Sequence, residues 1–388
     1  MKYYNDLPEI ENCDIVVGIP SFNNAETIAY VAEQAARGIT ELGLKGTVVN
    51  SDGGSNDGTR EAFMKANTLN IPKHSLVYKG IPGKGSAIRA LFEFAHKANA
   101  KVFVMLDSDL RSVKPWWIER LANPILSGKT SYVTPLYVRH KYDGTITNNI
   151  CYPLISVLFG KKIRQPIGGD FGVGKELIDV YLSKNVWETD VAKFGIDIWM
   201  SVTAVVESSK KPVQAALGAK VHDVKDPGKH LVGMFLQVVR TLFDLVALHL
   251  DKLDKFNEIE QTDVYGSQVQ EKVEEIVIDL ENLKNRAKQN LAERLHSLDY
   301  IPKAITGKIL STGKLTAEEW AEVVFESLVL YRKNKDEDIV MNLLPFYFAR
   351  VAGFVEETFD LTSEQAEKVI EAQLEVFKTK KTEYAKRW

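Results

Sequence analysis

The first hundred residues alternate between short apolar blocks and turns bearing glycine or asparagine. Residues 14–20, 47–51 and 76–78 are apolar blocks of strand length, rich in Val and Ile. Between them, residues 26–39 carry Ile28, Val31, Ala32, Ala35 and Ile39 at helical spacing, and residues 87–98 repeat that period. The run Val102-Phe103-Val104-Met105-Leu106 predicts a strand buried on both faces and leads straight into Asp107-Ser108-Asp109. Strand, loop and helix repeated in this way mean βαβ units around a parallel sheet. Right-handed crossovers then put the loops at residues 20–26, 52–59 and 83–85 on one sheet edge, the edge of Asp107 and Asp109.

Further along, the pattern changes. Residues 131–137 predict a strand, followed by a polar loop to Thr147 and a short helix over 148–159 interrupted by Pro153. Residues 165–172 read as a glycine-dense turn. Asp197 opens a helix to Val206, and residues 213–221 form a strand ending at His222. From Leu231 onward the period is helical and strand signals are few. Charged stretches such as 269–295 read as solvated or partner-packing helices. One boundary near Lys255 separates an α/β domain (1–254) from a helical region (255–388). In the latter, Trp320, Tyr331, Phe346, Tyr347 and Phe354 are core anchors, or anchors for a second subunit; a homodimer is the expectation.

Composition narrows the partners. Forty-nine basic residues balance 52 acidic ones, so a basic nucleic-acid footprint is absent. Residues 231–250 come nearest to a membrane span, but Gln237, Arg240, Asp244 and His249 interrupt them, so no span is expected. The two cysteines, Cys13 and Cys151, have no metal-ligand spacing, and no signal-peptide core precedes residue 14; a reducing cytoplasm is expected.

The chemistry gathers at the predicted edge. Two carboxylates one residue apart repel unless a cation lies between them. Mg²⁺ or Mn²⁺ carrying a diphosphate fits, because hard cations take oxygen ligands; a plain cap at Asp109 for a helix near Pro115 is the bland alternative. Lys84, between two glycines, offers its ammonium to an anion. Asp52 and Asp57 flank Gly53-Gly54, either as ligand contacts or as an ordinary turn. His222 is a further metal-ligand candidate at a strand end. After it, Lys225 and Lys229 could close over a diphosphate.

In order and spacing, this set resembles the retaining GT-A glycosyltransferases that make glucosyl-3-phosphoglycerate, and the related mannosyl-3-phosphoglycerate and glucosylglycerate synthases. The resemblance spans residues 15–234. It is carried by Ile19-Pro20, Asn23, Glu26-Thr27-Ile28, Asp52 to Asp57 with Thr59, and Pro82-Gly83-Lys84-Gly85. It continues through Asp107-Ser108-Asp109-Leu110 with Pro115, Gln165 to Phe171, Gly195 to Ile198 and His222. It implies a GT-A fold: a Rossmann-like, mixed but mainly parallel sheet flanked by helices, here with a helical C-terminal extension. It also implies metal-dependent transfer of glucose or mannose from a nucleoside-diphosphate sugar to D-glycerate or 3-phosphoglycerate, as in compatible-solute synthesis.

The resemblance further implies roles. Pro20, Ser21, Phe22, Glu26 and Gly53 would line the nucleobase pocket, and Lys84 would contact the nucleotide. Asp107 and Ser108 would lie against ribose and diphosphate, and Asp109 and His222 would hold the metal. Ile167, through its carbonyl, and Asp170 would lie beside the donor sugar; Asp197 would bind sugar or acceptor hydroxyls. One departure stands out. The family's acceptor motif Gly-Arg-x-Thr reads Gly144-Thr145-Ile146-Thr147 here, so Thr145 replaces the arginine that would grip a phosphate. Unphosphorylated glycerate, or another small hydroxy acid or sugar, becomes the better expectation, unless Arg139 or Lys141 compensates. An inverting glycosyltransferase, a sugar-phosphate nucleotidyltransferase and a non-catalytic nucleotide-sugar binding module are the alternatives.

Overall fold

The computed structural model describes residues 4–222, 231–253, 256, 258–269, 271 and 273–387. The chain divides into two compact units. The first comprises Met1–Val138, Gln165–Asp223 and Thr262–Val273; the second comprises Arg139–Arg164, Val224–Gln261 and Glu274–Trp388. The single cut near Lys255 is therefore replaced by an interleaved division, in which the segment from Arg139 to Arg164 goes with the C-terminal helices.

The strands in chain order are β1 (Ile15–Ser21), β2 (Gly46–Asp52), β3 (Lys73–Val77), β4 (Val102–Met105), β5 (Tyr132–Val138), β6 (Lys161–Lys162), β7 (Phe171–Gly174), β8 (Val213–Ala219), β9 (Glu260–Gln261) and β10 (Val264–Tyr265). Eight of them make the sheet of the first unit, in the order β10-β8-β5-β7-β4-β1-β2-β3. All its pairings are parallel except those of β7, which runs antiparallel between β4 and β5. This is the mixed, mainly parallel sheet expected of a GT-A fold.

Helices α1 (Ile28–Leu42), α2 (Thr59–Lys65), α3 (Lys84–Lys97) and α4 (Pro115–Leu126) follow β1, β2, β3 and β4. The apolar stripe of α1 and the buried face of α4, centred on Trp117, Ile118 and Leu121, cover one side of β1 and β4. On α3, Phe92 meets the ring of Phe103 from β4, with centroids 5.2 Å apart and edge to face. That contact couples the helix that begins at Lys84 to the strand that ends before Asp107.

Several expectations change. Asp109 is not the cap of α4: Lys114 occupies that position and Pro115 opens the helix. Phe171 and Gly172, read as the end of a glycine-dense turn over 165–172, open the antiparallel strand Phe171–Gly174. Residues 148–159 stay helical through Pro153 because a π-turn over Thr147–Cys151 leads into the helix Tyr152–Phe159, which puts the proline in its first turn. The region read as helical after Leu231 contains β9 and β10, and between residues 269 and 295 the helix covers only Leu280–Arg294.

The second unit is mainly helical, with β6 and β9 paired in a two-stranded parallel sheet. Trp320, Tyr331, Phe346, Tyr347 and Phe354 are all buried in its core. One stretch in it, Glu337–Thr358, is long and apolar enough to cross a membrane, although residues 231–250 were expected to come nearest; 89% of its most apolar window is buried within the protein, as in a core helix.

Removing the Phe103 ring should leave a cavity between α3 and β4. Phe103→Ala is expected to cost about 3–5 kcal/mol in urea unfolding, whereas Phe103→Leu should cost clearly less.

Candidate active site at the carboxyl edge of the sheet

Three loops meet beyond the carboxyl ends of β1, β2 and β4. The Asn23 amide donates to Ser55 Oγ (2.8 Å), and the Ala25 amide to Asp57 Oδ2 (3.1 Å). Thr27 Oγ1 donates to the Ser108 carbonyl (2.7 Å), and Ser108 Oγ to Asn24 Oδ1 (2.8 Å). The loop after β1 is thus tied both to the Asp52 turn and to Asp107-Ser108-Asp109.

Asp52 is fully buried and accepts from Ser21 Oγ, the Gly54 and Ser55 amides and Ser55 Oγ. Its carboxylate holds the turn together. Pro20 and Ser21 end β1 in buried positions, Gly53 is half-buried, and Glu26 is exposed, 3.7 Å from Arg111. Phe22 is 62% exposed, an apolar ring presented to solvent at a ligand edge.

At the centre lies a cluster of buried charge. Lys84 Nζ lies 2.8 Å from Asp107 Oδ1 and 3.2 Å from Asp197 Oδ2. Lys220 Nζ lies 2.9 Å from Asp107 Oδ2, 3.2 Å from Asp170 Oδ2 and 2.7 Å from the Gly168 carbonyl. Both oxygens of Asp107 are therefore held by ammonium groups. Asp170 also accepts from the Asp107 amide (2.7 Å) and from the Tyr137 hydroxyl. Gly169 (φ 94°) packs so closely that a Cβ there would lie 2.0 Å from Asp107 Oδ2.

Burial alone would raise the Asp107 carboxyl, but Lys220 and Lys84 outweigh it and hold it far below the usual range. Burial likewise opposes the Lys84 charge, and Asp107 and Asp197 more than offset it, raising its pKa. Burial raises Asp170 against the pull of Lys220, and raises Asp197 against that of Lys84. Among the described residues Asp197 Oδ1 is buried and has no hydrogen-bond partner. In a cleft, such an atom is suited to accept from a ligand hydroxyl.

Ile167 lies in a turn held before it by Gln165 and Pro166 and after it by the Gly168 carbonyl, which accepts from Lys220. The Gln165 side-chain amide pairs with the Tyr137 backbone (3.0 Å each way), and Ser201 Oγ donates to the Pro166 carbonyl (2.6 Å).

Asp109 is half-buried and has no ion pair among the described residues. The segment after it pairs with the segment before His222. The Arg111 amide donates to the Val221 carbonyl (2.9 Å), and the Val221 amide to Ser112 Oγ (2.9 Å). Asp109 and His222 thus flank one local junction, although far apart in sequence. Among the described residues no group of three or more His, Cys, Asp or Glu could hold a metal ion. Asp109 and His222 would supply one carboxylate and one imidazole, and any ion they held would take its other ligands from substrate oxygens and water. Lys225 and Lys229 lie outside the described residues.

The expected acceptor residues belong to the second unit. Arg139 lies 3.7 Å from Asp143, and Gly144 takes a left-handed φ of 71°. Thr147 is buried at the start of the π-turn. Thr145 is 2% exposed, with Oγ1 2.6 Å from the Tyr347 hydroxyl. Lys141 donates to the carbonyls of Thr358 (2.7 Å), Phe359 (2.9 Å) and Leu361 (2.6 Å), at a helix C-terminus.

Lys220 was not singled out from the sequence. Its signal is slight: a lysine two residues before His222, at the end of β8.

A family model, Glycosyl transferase family 2, matches residues 16–173. Among solved structures, the chain is similar to glucosyl-3-phosphoglycerate synthase from Mycobacterium tuberculosis in complex with Mn²⁺, uridine diphosphate and phosphoglyceric acid. That match has 23% identity, a TM-score of 0.47, and covers 60% of this chain and 78% of that one. The same synthase with Mg²⁺ and uridine diphosphate matches at 23% identity and TM-score 0.46, covering 60% and 79%. Its complex with Mn²⁺, UDP-glucose and glycerol 3-phosphate matches at 22% and 0.46, covering 60% and 80%. No curated protein matches the chain's sequence.

Lys220→Met should leave Asp170 without a lysine and Asp107 with Lys84 alone, and cost about 3–5 kcal/mol in urea unfolding. Adding Asp170→Asn should recover part of that loss. Because folding depresses the Asp107 pKa, its stabilisation is present above the unfolded value of about 3.9 and is lost as pH falls below it. Asp107→Asn should therefore lower Tm at pH 7 and flatten its decline below about pH 4.

Proposed function

We propose that this chain, whose residues 16–173 match the glycosyl transferase family 2 model, is a metal-dependent hexosyltransferase of that family. It moves glucose or mannose from a nucleoside-diphosphate sugar to a small hydroxy acid. The observation that carries this reading is the junction of Asp109 and His222 beside the Lys84–Asp107–Lys220 cluster, at the edge where α/β sheets bind ligands.

Asp109 and His222 are the residues that would hold Mg²⁺ or Mn²⁺, and the ion would supply positive charge for the departing diphosphate. Pro20, Ser21, Phe22, Glu26 and Gly53 form the nucleobase side, and Ser108 and Asp107 the ribose side. Lys84 and Lys220 set the potential around the donor phosphates. Asp197, through its unpartnered oxygen, accepts from a sugar or acceptor hydroxyl.

Retention of anomeric configuration is taken from the resemblance to the retaining GT-A enzymes. An inverting reaction needs a carboxylate free to take the acceptor proton. Asp170 is committed to the Asp107 amide, Tyr137 and Lys220, which leaves Asp197 as the base for the inverting alternative. The carbonyl of Ile167, held by its pinned turn, is assigned to the anomeric side of the donor.

For the acceptor, unphosphorylated glycerate is preferred to 3-phosphoglycerate. The Thr145 hydroxyl is bonded to Tyr347, Lys141 is spent on three carbonyls, and Arg139 faces Asp143. A phosphate dianion calls for a planar donor fork, and Thr145 offers none. A reducing cytoplasm and a homodimer complete the proposal. The first suits two unpaired cysteines whose thiols burial makes less acidic, Cys13 up to about 11 and Cys151 higher still.

The test offers UDP-, GDP- and ADP-sugars with Mg²⁺ or Mn²⁺, and glycerate and 3-phosphoglycerate separately. Nucleoside diphosphate release identifies donor and acceptor, and NMR of the product gives its anomeric configuration. Asp109→Ala should lower turnover by about 10²–10³-fold; full turnover by that variant would overturn the assignment.

A further inference from the structure

Lys84 opens α3, and the loop that delivers it, residues 78–83, is braced from an unexpected side. Glu93, on α3, is a carboxylate with only 2% of its side chain exposed. It accepts from the Tyr4 amide (3.0 Å), the Asn5 amide (2.9 Å), Asn5 Nδ2 (3.0 Å) and Arg89 Nε (3.1 Å). Three of these four donors come from residues 4 and 5. Asn5, itself buried, turns its other amide atom to the loop: Oδ1 accepts from the Lys79 amide at 2.6 Å. Beside it, Gly80 (φ 117°) lets the loop pass so close to Tyr4 that a Cβ there would lie 2.9 Å from the ring. The Tyr4 ring in turn stacks under the Arg89 guanidinium at 4.3 Å. The loop ends with the Gly83 amide donating to the Tyr78 hydroxyl (2.8 Å) and the Gly85 amide to the Lys193 carbonyl (3.1 Å).

We infer that Asn5 is a positioning residue for Lys84: it joins the buried Glu93 of α3 to the Lys79 amide and so fixes the path by which the loop enters the helix at the donor-phosphate lysine. A buried carboxylate that loses hydrogen-bond donors is destabilised, so the strap and the loop should hold or loosen together. The functional half of this inference rests on the glycosyltransferase reading; the mechanical half does not.

Two measurements on the full-length protein test it. In amide hydrogen exchange without ligand, Asn5→Ala should speed exchange at the Gly83 and Gly85 amides by about tenfold while leaving β1 and β4 unchanged. Asp6→Ala, which removes only the exposed ion pair to Lys79, should leave those amides unchanged. Titration with UDP and Mn²⁺ should then show affinity about fivefold weaker for Asn5→Ala, and no further weakening when the same change is made in Lys84→Met. If Asn5→Ala does not fold, Asn5→Ser, too short to reach Lys79, takes its place. Unchanged exchange at residues 83 and 85 overturns the inference whatever binds. A loss of affinity that is undiminished in Lys84→Met overturns the link to Lys84. Absence of nucleotide binding by the unaltered protein removes the proposed function and the functional half of the inference, while exchange still decides the strap.

Discussion

Asp107 is a carboxylate gripped at both oxygens by ammonium groups, and much of the site is arranged around that fact. Lys84 arrives from α3, Lys220 from just beyond β8, Asp170 from just before β7 and Asp197 from the first turn of the helix Ile196–Glu207. None of these charges would be tolerable alone at its depth, since an unpaired buried ion costs several kcal/mol. Together they fix where four elements end relative to one another. The cluster also constrains the chemistry. Its two lysines face three carboxylates, so their charge is more than offset within the cluster itself. On the proposed function, a diphosphate placed beside them would need further positive charge, and an ion held by Asp109 and His222 would supply it.

Much of this was legible in the sequence wherever the signal is local. The strands β1 to β4, the helices after them and the convergence of their loops follow from hydrophobic period and crossover handedness. The two aspartates and Lys84 stood out by position. Asp107 and Asp109 then separate in role: one is spent on two lysines and the other has no ion pair among the described residues. No sequence spacing distinguishes them, because the difference is made by Lys220, 113 residues away. The antiparallel β7 was hidden for a related reason. Its glycines mimic a turn, and its pairing with β4 and β5 is non-local.

The domain division was illegible for a different physical reason. Residues 139–164 continue directly from β5 and show no break in composition. Their membership of the helical unit is decided by contacts with residues more than 150 positions away. Trp320 Nε1 donates to the Asn149 carbonyl (2.6 Å), the Tyr152 hydroxyl to Glu371 (2.5 Å), and Arg164 to Glu367 through two bonds. A linear cut cannot express a unit assembled from separated segments.

These same contacts explain why Thr145 is more than an isolated exchange for arginine. It is buried, its hydroxyl meets Tyr347, and its carbonyl accepts from the Asn149 side chain at 2.9 Å. The Tyr347 ring stacks on Phe235, with centroids 4.4 Å apart. A guanidinium introduced at position 145 would have to be buried among these groups, at the cost that attends an unpaired interior charge. The surroundings have been built for a small neutral side chain. An arginine at this position would therefore require repacking the helical unit as well as altering residue 145.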